Sequence, residues 1–202
     1  MNYIVKKIPS FTEIETCPPL PIHHVLWNTT YVPESYAQIG LLESYGFLIK
    51  LSCKEENPLT TYTNFNDPVF LDSALEFFFQ PFPNRPEYIN FEVNSNGALL
   101  SQIGTGKTHR KNISPKLLSL CNVEAEKKET HWSVLLCIPY SFLQEMYSLS
   151  LESFKGINTF RFNCYKISEA KSNTHFLSAA SIDSAVPNFH LPEFFACALV
   201  ES

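Results

Sequence analysis

Alternating polar side chains make residues 88–94 the most informative stretch of the sequence. Asn90, Glu92 and Asn94 share one parity, and the residues between them are apolar. Because successive side chains of a β-strand point to opposite faces, a strand here would carry its amides and its carboxylate on one face. Those groups accept and donate hydrogen bonds in fixed planar directions, which suits a ligand rich in hydroxyl groups.

Two further stretches repeat the pattern and add a second carboxylate and an Arg. Over residues 72–81, Glu76 has the parity opposite to a Leu and two Phe residues, and over residues 159–167 Arg161 and Asn163 alternate with apolar residues. Three such strands predict one sheet face that is rich in polar groups. Two interpretations stay open at this point, a ligand-binding face and the ordinary solvated face of a β-sandwich.

Glu76 and Glu92 also have a catalytic interpretation. If they were neighbours on adjacent strands, they would lie about 5 Å apart, close to the carboxylate spacing of retaining glycosidases. The sequence fixes neither their register nor their distance. A glycoside-processing enzyme therefore remains the alternative to a binding protein.

Two other segments carry candidate ligand groups. Residues 187–195 combine two prolines, several aromatics and His190, but one His and one Glu do not form a zinc-binding set, so we predict His190 to be a hydrogen-bonding residue. Residues 104–108 resemble the end of a phosphate-binding loop. The glycine that this motif requires five residues before Gly106 is Ser101, so nucleotide binding is not predicted.

Short strands must position these residues. Alternation predicts a hairpin of two strands over residues 37–41 and 47–53, with a turn in which Gly46 adopts a positive φ, and Asn96-Gly97 predicts a second turn. Many short strands and few helix signals predict an all-β fold, an antiparallel β-sandwich.

The whole chain, residues 1–202, is predicted to be a single domain. Five prolines interrupt the first 34 residues, so we expect an irregular N-terminal arm over residues 1–24. Residues 104–130 are polar and are expected to be a loop with at most one helical turn, near residues 115–120.

Composition narrows the possible partners. The formal charge is −5 and no Lys/Arg stripe is present, so we expect no nucleic-acid partner, and no apolar run is long enough to predict a membrane partner. Residues 1–11 lack the apolar region of a secretory signal. The six cysteines include no C-x-x-C pair, so we expect reduced thiols, no disulfide and a cytoplasmic location.

Five segments together resemble the family 9-like carbohydrate-binding modules, a branch of the DOMON-like β-sandwiches. In chain order these segments are Asp72-Ser73-Ala74-Leu75-Glu76-Phe77-Phe78, Tyr88-Ile89-Asn90-Phe91-Glu92-Val93-Asn94 followed by Asn96-Gly97, Phe162-Asn163-Cys164-Tyr165-Lys166, His175-Phe176-Leu177-Ser178, and residues 187–195 (PNFHLPEFF). The resemblance covers about residues 25–201. It implies a jelly-roll-like sandwich with a sugar cleft on one polar face. Relatives often carry Trp, a possible sugar-stacking platform, where this chain has Ala179; Trp27, Tyr62, Phe65 and Phe189 are the candidate substitutes.

The resulting hypothesis is a non-catalytic module that binds a glycan or small sugar, with unknown oligomeric state. The predicted ligand-binding residues are Trp27, Glu76, Asn90, Glu92, Asn94, Arg161, Asn163 and His190. An interaction domain with a decayed sugar cleft is a further alternative. No cofactor is predicted; members of the resembled family can carry structural calcium, for which the loop with Asn64, Asn66 and Asp67 is the candidate, although it lacks EF-hand spacing.

Overall fold

The computed structural model describes residues 2–171 and 173–201, and most of its regular structure is β. The strands are β1 (Asn2–Lys7), β2 (Leu20–Pro21), β3 (His24–Val25), β4 (Glu34–Leu42), β5 (Gly46–Lys54), β6 (Ser73–Gln80), β7 (Tyr88–Asn94), β8 (Leu99–Gly104), β9 (Lys111–Asn112), β10 (Asn122–Lys127), β11 (Trp132–Pro139), β12 (Thr159–Ser168), β13 (His175–Ser178) and β14 (Ala196–Val200). The α-helices are α1 (Pro115–Leu118), α2 (Tyr140–Tyr147) and α3 (Leu151–Lys155), and 3₁₀ helices cover Phe11–Thr16, Val69–Leu71 and Pro192–Phe194.

The strands form one long curled sheet whose two halves face each other. The front sheet contains β14, β12, β6, β7, β8 and β9 in that order, with β13 paired to β12 and β3 paired to β13. The back sheet contains β10, β11, β5 and β4, with β2 beside β4. Strand β1 joins them, since its first residues pair with β14 and its last two pair with β4. The prediction of a mostly antiparallel β-sandwich is confirmed, with one correction: both pairings of β1 are parallel.

Aromatic side chains fill the space between the two sheets. The Phe47 ring of β5 lies 5.1 Å from that of Phe79 on β6 and 5.3 Å from that of Phe160 on β12, both edge to face. Phe142 of α2 packs against Phe91 at one end of this core. Truncation of a buried Phe such as Phe47 typically costs about 3–5 kcal/mol, so these rings are a principal source of the cohesion between the sheets.

Both predicted glycine turns are confirmed. Gly46 has a φ of 145° and begins β5, and Gly97 has a φ of 80° between β7 and β8. A Cβ atom at Gly46 would lie 2.2 Å from the carbonyl oxygen of Ile138, so the hairpin tolerates no side chain there. The Gly97 turn thus closes the hairpin of β7 and β8.

The prediction of an irregular N-terminal arm is wrong. Residues 2–7 form β1, and the 3₁₀ helix Phe11–Thr16 packs Ile14 and Cys17 onto Leu48 and its neighbours on the outer face of the back sheet. The prolines follow the strand rather than interrupt it. Both faces of β4 and β5 are therefore buried, where the alternation predicted only one.

The polar stretch 104–130 is also more regular than predicted. The helical turn is present as α1, capped by the Ser114 hydroxyl, which accepts a hydrogen bond from the Leu117 amide. The stretch additionally contains β9 and the edge strand β10, whose largely exposed residues gave no periodic apolar signal. Within the described ranges, no helix is long and apolar enough to cross a membrane.

Candidate functional site

A cavity of about 530 Å³ opens on the outer face of the front sheet, the face turned away from the core. Strands β6, β7 and β8 supply its floor, and the segments around residues 66–70, 104–112 and 187–190 supply its walls. Its lining residues are Trp27, Asn66, Pro68, Phe70, Glu76, Phe78, Glu92, Leu100, Gln102, Lys107, Arg110, Asn112, Ile167, Glu169, Phe176, Pro187, Asn188, Phe189 and His190. Its volume lies within the range of small-molecule sites.

The polar face predicted from strand parity exists, but it is not a solvated face. Phe78, Tyr88, Tyr165 and Phe189 belong to a second hydrophobic cluster that covers it. As a result Glu92 is only 5% exposed, and Glu76, Asn90, Asn94 and Asn163 are equally buried. Arg161, near the start of β12, is half-buried. Buried polar side chains require partners, so the contacts of each one decide whether it is structural or is left free for a ligand.

Glu76 and Glu92 face each other across β6 and β7, where they form a directly opposed register pair. One oxygen of each carboxyl group, Oε2, is buried and has no hydrogen-bond partner. Burial raises the pKa of Glu92 to about 7, and burial together with the neighbouring Glu92 carboxylate raises the pKa of Glu76 well above its ordinary value. Both side chains line the cavity, so these unsatisfied acceptors lie in its floor.

Asn90 connects this pair to an Arg. Its amide nitrogen donates to Glu92 Oε1 at 2.8 Å, and its oxygen accepts from Arg110 Nη2 at 2.6 Å and Nε at 3.1 Å. Arg110 also donates to the carbonyl oxygens of Tyr88, Gln102 and Gly106, and its guanidinium lies 4.4 Å from the centroid of the Tyr88 ring. Arg110 therefore holds the 104–110 loop and fixes the rotamer of Asn90.

Three aromatic side chains, Trp27, Phe176 and Phe189, form one wall of the cavity, which we call the aromatic wall. The Trp27 ring lies 5.4 Å from Phe189 and 5.4 Å from Phe176, and its Nε1 donates to the Ser184 carbonyl oxygen at 2.8 Å. Trp27 has a φ of 46°, an uncommon conformation for a bulky residue that persists only where the surroundings enforce it. Phe189 in turn stacks on Tyr165, with ring centroids 4.1 Å apart and 10° between the planes.

His190 lines the cavity beside Tyr88 and Phe78. Its Nδ1 forms a 2.9 Å hydrogen bond with the Tyr88 hydroxyl, and its ring packs 4.8 Å from that of Phe78. Burial lowers the pKa of His190 to about 3, and the charges of Arg110 and Lys107 act in the same direction. The imidazole is therefore neutral at ordinary pH and offers the cavity a polar group without charge.

Comparison with known proteins identifies the family. The sequence profile of carbohydrate-binding family 9 matches residues 6–199, nearly the whole chain. The chain belongs to carbohydrate-binding family 9. No curated protein matches it at a significant level of sequence similarity.

Solved structures share the family 9 fold over the full chain. A proposed carbohydrate-binding protein from Bacteroides uniformis aligns over 99% of both chains, with 24% identity and a TM-score of 0.83. A family 9 module from Caldicellulosiruptor kristjanssonii aligns over 100% of this chain, both in complex with glucose (96% of that chain, 11% identity, TM-score 0.68) and in complex with cellotriose (94% of that chain, 10% identity, TM-score 0.68). At these identities the similarity shows the shared fold.

The predicted site residues fall into two groups in this family 9 module. Trp27, Glu76, Glu92 and His190 line the cavity, and Asn90 lies beneath it as the link to Arg110. Asn94, Arg161 and Asn163 lie outside the lining. Their role as ligand contacts stays a prediction, and each has a structural role that uses its polar atoms.

Those structural roles are specific. Asn94 donates to Asp72 Oδ2 and the Tyr62 carbonyl oxygen and accepts from the amides of residues 96 and 98, which closes the turn before β8. Asn163 bonds the backbone of Ala180 through both its nitrogen and its oxygen. Arg161 donates to carbonyl oxygens of residues 192, 193 and 195 and thereby anchors the segment that carries His190.

Several lining residues were missed from the sequence. Arg110 and Lys107 lie in a loop without periodicity, and Gln102 and Asn112 lie on β8 and the two-residue strand β9. The only available signal was the glycine-rich 104–108 segment. Of the proposed substitutes for the family Trp, Trp27 and Phe189 line the cavity, whereas Ala179 is buried in the main core.

Two side-chain oxygens of the candidate calcium loop accept hydrogen bonds from the protein itself. Asp67 Oδ2 accepts from the backbone amides of Thr63 and Asn64 and from the Asn64 side chain, and Asn66 Oδ1 accepts from the Ser101 amide. Across residues 2–171 and 173–201, no group of three or more His, Cys, Asp or Glu side chains is arranged to hold a metal ion. A calcium site stays an untested prediction.

Proposed function

We propose that this family 9 module binds one terminal sugar unit of a glycan, or a free small sugar, in the 530 Å³ cavity and releases it unchanged. The observation that carries the proposal is the division of the lining into an aromatic wall and a polar floor. A sugar ring has an apolar C–H face and a rim of hydroxyl groups. Trp27 and Phe189 match the apolar face, and the free oxygens of Glu76 and Glu92 match hydroxyl donors.

The similar structures support this proposal. The Caldicellulosiruptor kristjanssonii module was crystallised with glucose and with cellotriose, so the shared fold can hold a glucose unit and a short glucan. We carry glucose-containing glycans over to this chain as the first ligands to test.

Glycoside hydrolysis is the second candidate function, because Glu76 and Glu92 are direct cross-strand neighbours at a spacing of about 5 Å. In a retaining glycosidase, however, one carboxylate attacks the sugar while the other protonates the leaving oxygen, so the two flank the scissile bond. Here both side chains project from one sheet face. The raised pKa of both groups also disfavours the ionised nucleophile that the mechanism needs.

A glycan array on the purified protein, followed by calorimetry with each glycan found, tests the proposal. We expect binding without turnover of a chromogenic glycoside panel. Substitution Glu92→Gln keeps the side-chain shape, removes the charge-assisted hydrogen bond and should weaken binding roughly ten- to a hundred-fold. Turnover that is lost in Glu92→Gln would establish the enzyme instead, and an array without any bound glycan would favour a decayed cleft.

We also propose that the protein acts in a reducing compartment, the cytoplasm. All six cysteines are free, and five of them are buried. Burial raises the pKa of the Cys53 and Cys137 thiols to about 11, so the reactive thiolate form is scarce. Buried, protonated thiols behave as small apolar side chains, which suits a protein that has no need of disulfides.

A further inference from the structure

The charges that line the cavity do not balance. Of the described residues, Glu76, Glu92 and Glu169 contribute carboxyl groups, and Lys107 and Arg110 contribute cations. With all of these groups ionised, the lining carries one excess negative charge. His190 does not offset it, because its imidazole is neutral.

The excess is concentrated at Glu76 and Glu92. Arg110, the nearest fixed cation on the loop, directs its hydrogen bonds to the Asn90 side chain and to three backbone carbonyl oxygens rather than to either carboxylate. Lys166, on the neighbouring strand β12, is engaged on the other side of the sheet by Glu55 at 3.3 Å. Two carboxyl groups thus face each other on one register position with unpartnered oxygens, and ionising both would place two like charges side by side.

Neutral hydroxyl groups satisfy such a pair only in part. Hydroxyl donors would provide hydrogen bonds to both free oxygens, yet the repulsion between the two carboxylates would remain, or one of them would have to stay protonated. A primary ammonium group has three N–H donors and a positive charge. Placed between the two carboxylates, it would satisfy both oxygens and cancel the excess charge in a single contact.

We propose that the preferred ligand is an amino sugar with a free primary ammonium group, held between the unpartnered carboxyl oxygens of Glu76 and Glu92. This inference rests on the proposed sugar-binding function and specifies its substrate class. An N-acetylated amino sugar lacks both the charge and two of the donors. It therefore binds like a neutral sugar or more weakly.

The pair also determines a proton balance. In the empty site near neutral pH the raised carboxyl pKa values keep a proton on the pair. Binding of an ammonium group ionises both carboxyl groups and releases that proton to solvent, whereas a neutral sugar leaves it in place. Proton release is a readout that a merely structural role of the two residues would not give.

The experiment compares glucosamine, N-acetylglucosamine and glucose by calorimetry at about pH 6, in two buffers of different ionisation enthalpy. We expect glucosamine to bind at least about ten-fold more tightly than either of the other sugars, with net proton release that only glucosamine shows. In the double variant Glu76→Gln/Glu92→Gln this preference should fall to about one, while Glu145→Gln, an exposed carboxylate on α2, should keep it.

The outcomes separate the two proposals. Equal affinity for the three sugars, or glucosamine binding without proton release, overturns the ammonium inference and leaves sugar binding intact. A preference for glucosamine that survives in the double variant also overturns it. If none of the three sugars binds and the glycan array is empty as well, both proposals fail together.

Discussion

Glu76 of β6 lies directly opposite Glu92 of β7, and each side chain keeps one buried carboxyl oxygen without a partner. Adjacent like charges are normally avoided in a sheet because they destabilise it. Their coexistence on a covered face means that the folded protein binds protons more strongly there than the unfolded chain does. Stability must therefore depend on pH through this pair.

The sign of that dependence follows from the raised pKa. Below about pH 4.5 Glu92 is protonated in both states, whereas between about 4.5 and 7 the folded state holds the proton more tightly, so its contribution to stability is lost as pH rises. Relative to Glu92→Gln, the wild type should lose about 3 kcal/mol of unfolding free energy across this window. Urea unfolding of both proteins at a series of pH values measures the difference.

Two histidines act in the opposite direction, and the variant corrects for them. Burial lowers the pKa of His175 to about 4 and that of His190 to about 3, so both destabilise the fold as pH falls below about 6.5. These contributions are common to the wild type and to Glu92→Gln. A difference between the two proteins that stays constant from pH 4.5 to 7 would show that Glu92 titrates normally.

Truncation of the aromatic wall should affect binding more than folding. Trp27→Ala removes the ring that packs on Phe189 and Phe176, and we expect sugar affinity to fall at least about ten-fold, or about 1.4 kcal/mol. Calorimetry measures the affinity. Val25→Ala, two residues earlier at a side chain 54% exposed, is the matched control and should bind normally. Unchanged affinity in Trp27→Ala would remove the aromatic wall from the site.

Loss of the Arg110 guanidinium should make the loop of residues 104–110 more flexible. Arg110→Lys keeps the charge but cannot reproduce the paired hydrogen bonds to Asn90 or the contacts to three carbonyl oxygens. We expect faster proteolysis within residues 104–110 and weaker sugar binding, since Asn90 positions Glu92. Arg85→Lys serves as the control. If Arg110→Lys matches the wild type in both assays, the hydrogen bonds of Arg110 are not needed to hold the loop or to support sugar binding.

A buried ion network outside the cavity should contribute strongly to stability. Lys166 Nζ contacts Glu55 Oε2 at 3.3 Å, Ser73 Oγ at 2.6 Å and His175 Nε2 at 2.7 Å. Burial alone would raise the pKa of Glu55, but the Lys166 ammonium and hydrogen bonds from Ser73 and Trp132 lower it below its usual range. Lys166→Met leaves that carboxylate buried without its cation and should cost about 3–5 kcal/mol in urea unfolding.

The double variant Lys166→Met/Glu55→Gln shows whether Lys166→Met loses stability because Glu55 is left as an unpaired buried charge or because packing contacts are lost. It removes both charges and should recover part of the stability that Lys166→Met loses. Lys54→Met, which breaks the exposed 3.8 Å pair with Glu34, should change the unfolding free energy by no more than about 0.5 kcal/mol. A double variant as unstable as Lys166→Met would mean that packing, not charge, explains the loss.

Thiol titration checks the proposed redox state. The denatured, unreduced protein should show six reactive thiols, because all six cysteines are free. The folded protein should react mainly at Cys197, the one that is not fully buried. A count near zero after denaturation would indicate disulfides and would contradict the cytoplasmic proposal.

Strand parity predicts the faces of β6 and β7 correctly because period-two alternation survives even where both faces are covered. It places Glu76 and Glu92 on one face, but it cannot supply their direct opposition, which depends on the register of β6 against β7 across the connection formed by residues 81–87. Parity also cannot show which partners a buried amide engages. Asn94 and Asn90 share a parity, yet Asn94 closes a turn while Asn90 supports the cavity.

The remaining parts of the site depend on long-range contacts that leave no local pattern. Arg110 reaches Asn90 from a polar loop, and Trp27 reaches Phe189 from the other end of the chain. Strand β1 escapes prediction for the same reason, because its parallel partner β14 lies at the other end of the sequence. Loop and terminal segments gain their structure from the sheet they cover.

The chain contains two Trp residues, and the fold gives them separate surroundings. Trp27 lies in the cavity wall, whereas Trp132 is buried, donates to Glu55 at 3.1 Å and lies 5.7 Å beneath the Lys166 ammonium. Single-Trp variants thus separate the intrinsic fluorescence into two signals. In Trp132→Phe the emission comes from Trp27 and would report sugar binding. In Trp27→Phe the emission comes from Trp132, would not respond to sugar, and would change only when the ion network opens. The protein therefore carries its own optical probes for ligand binding and for unfolding.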